Sequence, residues 1–140
     1  MKKYILILVA ITTYTLSSCK EEKKAPEGPT QMQQVMAIHD EVMPKMGAIG
    51  KLVSTLKPMV DSTETGMQYE VAMKDLQKAN KSMMDWMQSF GSKFDSDEIL
   101  NGKQLTPEKQ ELLNSEEIKV KEVADLINTS IAKAEVLLKK

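Results

Sequence analysis

Methionines and a single histidine give this chain its first candidate chemistry. Ten of the eleven methionines lie between Met32 and Met87. Met36, His39, Met43 and Met46 recur at steps of three and four, which puts three thioethers and the sole imidazole along one helical face. Soft thioethers suit Cu(I) or Ag(I), so this set is a candidate soft-metal site. The same positions belong to an apolar stripe that a helix must bury, and methionine is an adaptable core filler. Core packing is therefore the first reading of the stripe, and metal binding is the alternative.

Other chemistry finds less support. A haem held by His39 with Met83 or Met87 would need facing helices, and no attachment motif accompanies it. Asp95, Asp97 and Glu98 form an acidic cluster, but Leu100 stands where a calcium loop of the EF-hand type needs glycine. No serine sits in a glycine-flanked elbow, and one histidine cannot make a zinc pair. The chain is expected to be no enzyme, with no catalytic residue, no cofactor and no evident small-molecule substrate. Trp86 could anchor a partner, yet it lies beside an apolar stripe and is expected to be buried.

The only cysteine, Cys19, has a more specific context. A basic start, Lys2-Lys3, precedes a 13-residue apolar run over residues 4–16, and Leu16-Ser17-Ser18 leads into Cys19. Charged end, apolar middle and small residues before a cut make a secretory signal. The run falls short of the roughly 20 residues that span a bilayer. The whole resembles a bacterial lipoprotein signal peptide. That resemblance implies cleavage before Cys19, a diacylglyceryl group on its sulfur and an acylated amino end. Several acyl chains hold a protein stably on a membrane, where one does not. Lys20-Glu21-Glu22 is similar to the acidic export tag of surface lipoproteins in Bacteroidota. The expected location is the bacterial cell envelope, anchored in the outer membrane on its periplasmic or surface face.

Removal of residues 1–18 leaves 122 of the 140 residues, enough for one domain. It also leaves 17 lysines against 20 carboxylates, a balance of −3. Every basic residue is lysine. A mildly acidic chain without arginine lacks the usual tools for nucleic-acid binding, so none is expected. No disulfide can form within the chain, so a packed core must hold it.

Residues 19–30, beginning with lipidated Cys19 and continuing KEEKKAPEGPT, carry charge, Pro26, Gly28 and Pro29 and read as a flexible tether. Extended, it would span roughly 35 Å. The body, residues 31–140, then shows three amphipathic segments. The first runs from about Gln31 to Asp61, with Val35, Ile38, Val42, Ile49, Leu52 and Leu56 beside the Met/His stripe and kinks expected at Pro44 and Pro58. The second runs from about Met67 to Phe90, with a capping box from Thr65 and Gln68 and a cap at Gly91. The third starts at Thr106-Pro107-Glu108 and reaches about Leu138, with a local break conceivable at Asn114-Ser115. Residues 91–105 form a long connection, pinned by Phe94, Ile99 and Leu100, and are a candidate partner-binding loop. The expected fold is all-α: an antiparallel, up-down-up three-helix bundle behind a signal peptide and tether.

The strings HDEVMPKMG (39–47), MMDWM (83–87) and LTPEK (105–109) together resemble a family of small Bacteroidota lipoproteins often labelled viral A-type inclusion proteins. The resemblance covers roughly residues 31–140 and the signal type. It implies a lipid-anchored helical body and no particular reaction. The expectation is a non-enzymatic interaction or structural module, with the membrane as one partner through its lipid and any protein partner unidentified.

Overall fold

The computed structural model describes residues 28–139, and every regular element among them is helical. The signal peptide 1–18, Cys19 and most of the tether lie outside the described residues. Helix α1 (Gln31–Val42) opens on a capping box: Gln33 N–H donates to Thr30 Oγ1 at 3.3 Å, and Thr30 N–H donates to Gln33 Oε1 at 2.8 Å. Proline cannot donate a backbone hydrogen bond, and its ring crowds the preceding turn. At Pro44 the chain tightens into a 3₁₀ turn, Met43–Lys45, before α2 (Met46–Leu56) resumes. At Pro58 a second 3₁₀ turn, Lys57–Met59, is the last helical geometry, and Val60 is extended. The first segment is thus two α-helices joined by a turn, not one kinked helix reaching Asp61. Its inward face survives the break. Val35, Val42, Ile49 and Leu56 follow one another at seven-residue steps, and all are buried.

Helix α3 (Glu64–Lys93) starts earlier than its sequence pattern predicts. The cap is Thr63, whose Oγ1 accepts from Gly66 N–H at 3.0 Å. Asp61 Oδ1 fixes that threonine by accepting from both its N–H and its hydroxyl. Thr65 and Gln68 lie inside the first turns instead. Gly66 is required here, because a Cβ would lie 1.8 Å from Asp61 Oδ1. At the other end the helix passes through Gly91 and closes at Phe94, whose N–H reaches Phe90 O. Gly91 is not a cap.

The connection after α3 is partly helical. Helix α4 (Ser96–Leu100) carries its own capping box, with Asp95 and Glu98 each accepting the other's N–H at 2.9 Å. Phe94 is buried and Ile99 packs on the core, but Leu100 is 77% exposed and pins nothing. Helix α5 (Pro107–Leu138) begins as its sequence reads, with Thr106 as cap and Pro107 in the first turn, and runs unbroken through Asn114-Ser115.

Side-chain pairs fix how the helices meet. Along α3 and α5 the numbering runs in opposite senses: Lys93 meets Glu116 at 2.6 Å, while Ser130 Oγ donates to Asp75 O at 3.5 Å. Along the first arm and α5 it runs in the same sense: Gln31 donates to Asn114 at 3.0 Å and Lys45 to Asn128 at 2.7 Å. Helix α1 packs on α5 and α2 packs mainly on α3. The bundle-like core between them holds Leu76, Ala79, Met83, Trp86, Phe90, Leu113, Val120, Ile127 and Ala134 with the four residues of the first arm. No helix among the described residues is long and apolar enough to cross a membrane.

Candidate functional site

A groove of about 730 Å³ is formed by the start of α3 and the end of α5. Its apolar surface comes from Met67, Val71 and Ala72 on one helix and Ala132, Val136 and Leu137 on the other. Met67 (52%), Val71 (60%) and Val136 (59%) are among the few large apolar side chains left this exposed. No residue of the first arm lines it. Its rim is polar: Glu64, Gln68, Asp75 and Lys133. Lys133 Nζ stands 4.0 Å from Asp75 Oδ2, a loose pair with both groups reaching solvent. Groups so placed gain little from each other in water and are free to turn to a ligand. A smaller hollow of about 240 Å³ lies between α2 and α3, lined by Ile49, Gly50, Val53, Gln77 and Asn80.

The other end of the α3–α5 pair carries buried charge, with Leu100, Leu112 and Ile118 exposed nearby in the chain. Glu116 is fully buried, and its Oε1 accepts from Lys93 at 2.6 Å and Lys119 at 2.8 Å. Burial pushes the Glu116 carboxyl up, but the hydrogen bonds from Lys119 and Lys93 together outweigh it and leave the group below its ordinary value. Glu98, on α4, is also buried and accepts from Lys109 at 2.5 Å. That hydrogen bond, with the backbone N–H of Asp95, lowers the Glu98 carboxyl as well. Asp95 is lowered chiefly by Lys103, at 2.7 Å. The 95–98 cluster is therefore a set of caps and ion pairs that ties α4 to α5, with Asp95 and Asp97 exposed and Glu98 buried.

Residues singled out in the sequence fall elsewhere. Cys19 lies outside the described residues. Met36, His39, Met43 and Met46 are all half-buried and flank the core, while the adjacent stripe of Val35, Val42 and Ile49 fills it. His39 packs 5.8 Å from the Trp86 ring and hydrogen-bonds through Nδ1 to Asp40 at 2.9 Å. The Pro44 turn, which itself carries Met43, separates Met46 from the helix that carries Met36 and His39. Trp86 is buried, stacked on Phe90 at 4.8 Å, which in turn meets Phe94 at 4.8 Å. Among the described residues no three His, Cys, Asp or Glu side chains converge as a metal-ligand set.

Comparison with models of known protein families, with curated proteins and with solved structures finds no match. The site's own chemistry must carry the functional reading. Periodicity missed the groove because its residues sit off the buried stripes. Yet a signal was present. Met67 and Val71, and Ala132 and Val136, are apolar pairs at four-residue spacing that no core stripe claims.

Proposed function

We propose that this chain is an envelope-anchored lipoprotein whose body, an up-down-up three-helix bundle, acts without catalysis as an interaction module through the α3/α5 groove. The lipobox order Leu16-Ser17-Ser18-Cys19 supports the anchor, and the resemblance to small Bacteroidota lipoproteins agrees with it. The opposite and same-sense pairings of α5 with α3 and α1 support the bundle topology. One observation carries the interaction reading: three exposed apolar side chains, Met67, Val71 and Val136, share one groove, whereas Met59, Met84, Leu100, Leu112 and Ile118 are exposed outside it. A concave, mostly apolar site with a few polar groups at its rim is where a ligand is expected.

The anchor and the groove are also well separated. The tether joins at Thr30, beside Gln31, which contacts Asn114 near the start of α5. The groove begins at Ala132, about 27 Å further along that helix. A lipid at Cys19 would leave the groove at the far end of the body from the attachment point. Cys19→Ala is expected to abolish palmitate labelling and release the protein from membranes, while mild crosslinking of wild type in its envelope captures a groove-dependent complex. A variant that still labels and sediments with membranes contradicts the anchor. A complex unchanged by Val136→Glu contradicts the groove.

Soft-metal binding is the second reading. What favours it is that Met36, His39 and Met43 lie on the half-exposed flank beside Trp86 rather than in the centre of the core. Titration with Cu(I) under reducing conditions tests it. One-to-one binding at micromolar affinity or tighter, lost in His39→Ala and Met43→Leu, would move this reading ahead of the first.

A further inference from the structure

We propose that the α3/α5 groove receives the acyl chain of a zwitterionic single-chain phospholipid, with its tail against Met67, Val71 and Val136 and its head between Lys133 and Asp75. This rests on the groove being the interaction surface, and it names the occupant.

The length of the apolar surface selects against a protein occupant. One heptad beyond Val71 stands Lys78, and two beyond stands Asp85; the matching steps back from Val136 give Thr129 and Glu122. All four are exposed. The apolar seam therefore ends after about two turns. A partner helix would find only that short seam, with polar side chains at 78, 85, 122 and 129 beyond it. A second copy of this chain would need about 800 Å² of complementary surface from each partner. An acyl chain needs neither. It has no backbone groups to satisfy, and from Glu64 to Asp75 the floor runs about 16 Å, enough for the body of such a chain. The volume of about 730 Å³ falls within the range of small-molecule sites, ~300–1,000 Å³.

The rim selects the head. It holds both signs of charge beside the apolar floor: Lys133 can meet a phosphate and Asp75 an ammonium, while Glu64 stands at the opposite end of the floor. Lys133 and Asp75 are only loosely paired at 4.0 Å, so a zwitterion can replace that contact with two. A fatty-acid carboxylate would face the like charge of Asp75, and a simple alkylamine would leave Lys133 uncompensated.

The test uses the full-length chain in the membranes of producing cells and a lysophosphatidylethanolamine with a photoreactive group on its acyl chain. Expected are one adduct per chain, mapping to residues 67–75 and 132–137, and a fall of about tenfold in Val71→Glu and in Val136→Glu. Both positions are largely exposed, and circular dichroism of each variant should match wild type. Lys133→Glu should cut labelling severalfold. Photoreactive palmitate and alkylamine probes should label less than the zwitterion. Adducts elsewhere, or adducts indifferent to Val71→Glu and Val136→Glu, overturn the proposal. Equal labelling by all three probes overturns the head assignment. A helix of another protein or a second copy crosslinked at the same residues overturns it in favour of that occupant. Palmitate labelling at Cys19 is read separately, so absence of groove adducts in a chain still lipidated at Cys19 sinks the lipid occupant and leaves the anchor standing.

Discussion

The two ends of the α3–α5 pair solve opposite problems. At one end, Glu116 and Glu98 are buried carboxylates, and lysines 93, 119 and 109 meet them at 2.5–2.8 Å. At the other, Met67, Val71 and Val136 are apolar and left in water beside a loose Asp75–Lys133 pair. The first end buries charge and pairs it with lysines, which fixes α4 and the start of α5 in place, although Glu116 Oε2 finds no hydrogen-bond partner among the described residues. The second exposes apolar surface and leaves charge uncommitted. An arrangement that costs stability in the free protein is a reasonable mark of a binding surface, whereas a buried ion pair is a mark of structure. Substitutions at the two ends should therefore act on different observables.

The largest effect on stability is expected from the core that both ends share. Leu76→Ala, at a fully buried position one turn from the groove, should cost about 3 kcal/mol in urea unfolding. Val71→Ala, one turn away but exposed, should stay within about 0.5 kcal/mol. If the two cost the same, the groove is part of the core and the contrast fails.

Next comes the ionic end. Removing Lys93 and Lys119 together strands the buried Glu116 and should cost about 2–3 kcal/mol. Either single substitution to alanine should cost well under half of that, because the remaining lysine still reaches Oε1. Equal losses in the singles and the double would show that the carboxylate is not shared as described.

The sign of the acid response follows from the same pairs. Glu98, Glu116 and Asp95 have folded values held below the ordinary carboxylate range. Their stabilisation is complete above that range and is lost as pH falls through the lowered values, below about pH 4. Urea midpoints should be flat from neutral pH down to about 5 and then drop, and Glu98→Gln should reduce the drop. A loss that begins near pH 6 would mean that burial, not pairing, governs Glu116.

How much of this could be read from the chain differs by element. The amphipathic segments were legible because a helix must bury one face, and the 3.6-residue period shows which. Thr106-Pro107-Glu108 was legible because everything that makes that cap is local. The start of α3 was not. Thr63 and Thr65 compete two residues apart, and the choice falls to Thr63 because Asp61 holds it and Gly66 leaves room for the close approach. Gly91 read as a stop, yet the helix runs on until Phe94 reaches the stack on Phe90. The proline turns were foreseen as kinks, but their geometry depends on keeping Val35, Val42, Ile49 and Leu56 in one inward row. Glu116 and Glu98 were illegible: their lysines include partners 23 and 11 residues away, which only the tertiary fold brings close. The groove depends on which side of the α3–α5 pair the first arm covers, and no single segment carries that information.

The smallest effect is expected at the Met/His flank. Met36→Leu and Met43→Leu conserve volume and should each cost under ~1.5 kcal/mol. Their main use is to separate packing from soft-metal affinity, since a leucine can fill the space but cannot ligate.

The contrast between the two ends is tested most directly by placing a photoreactive residue at position 71, in the groove, and separately at position 122, two heptads back from Val136 on α5, each in the full-length chain within producing cells. A discrete adduct of lipid mass is expected from position 71 and none from position 122. No adduct at 71, or the same products from both positions, would contradict that contrast.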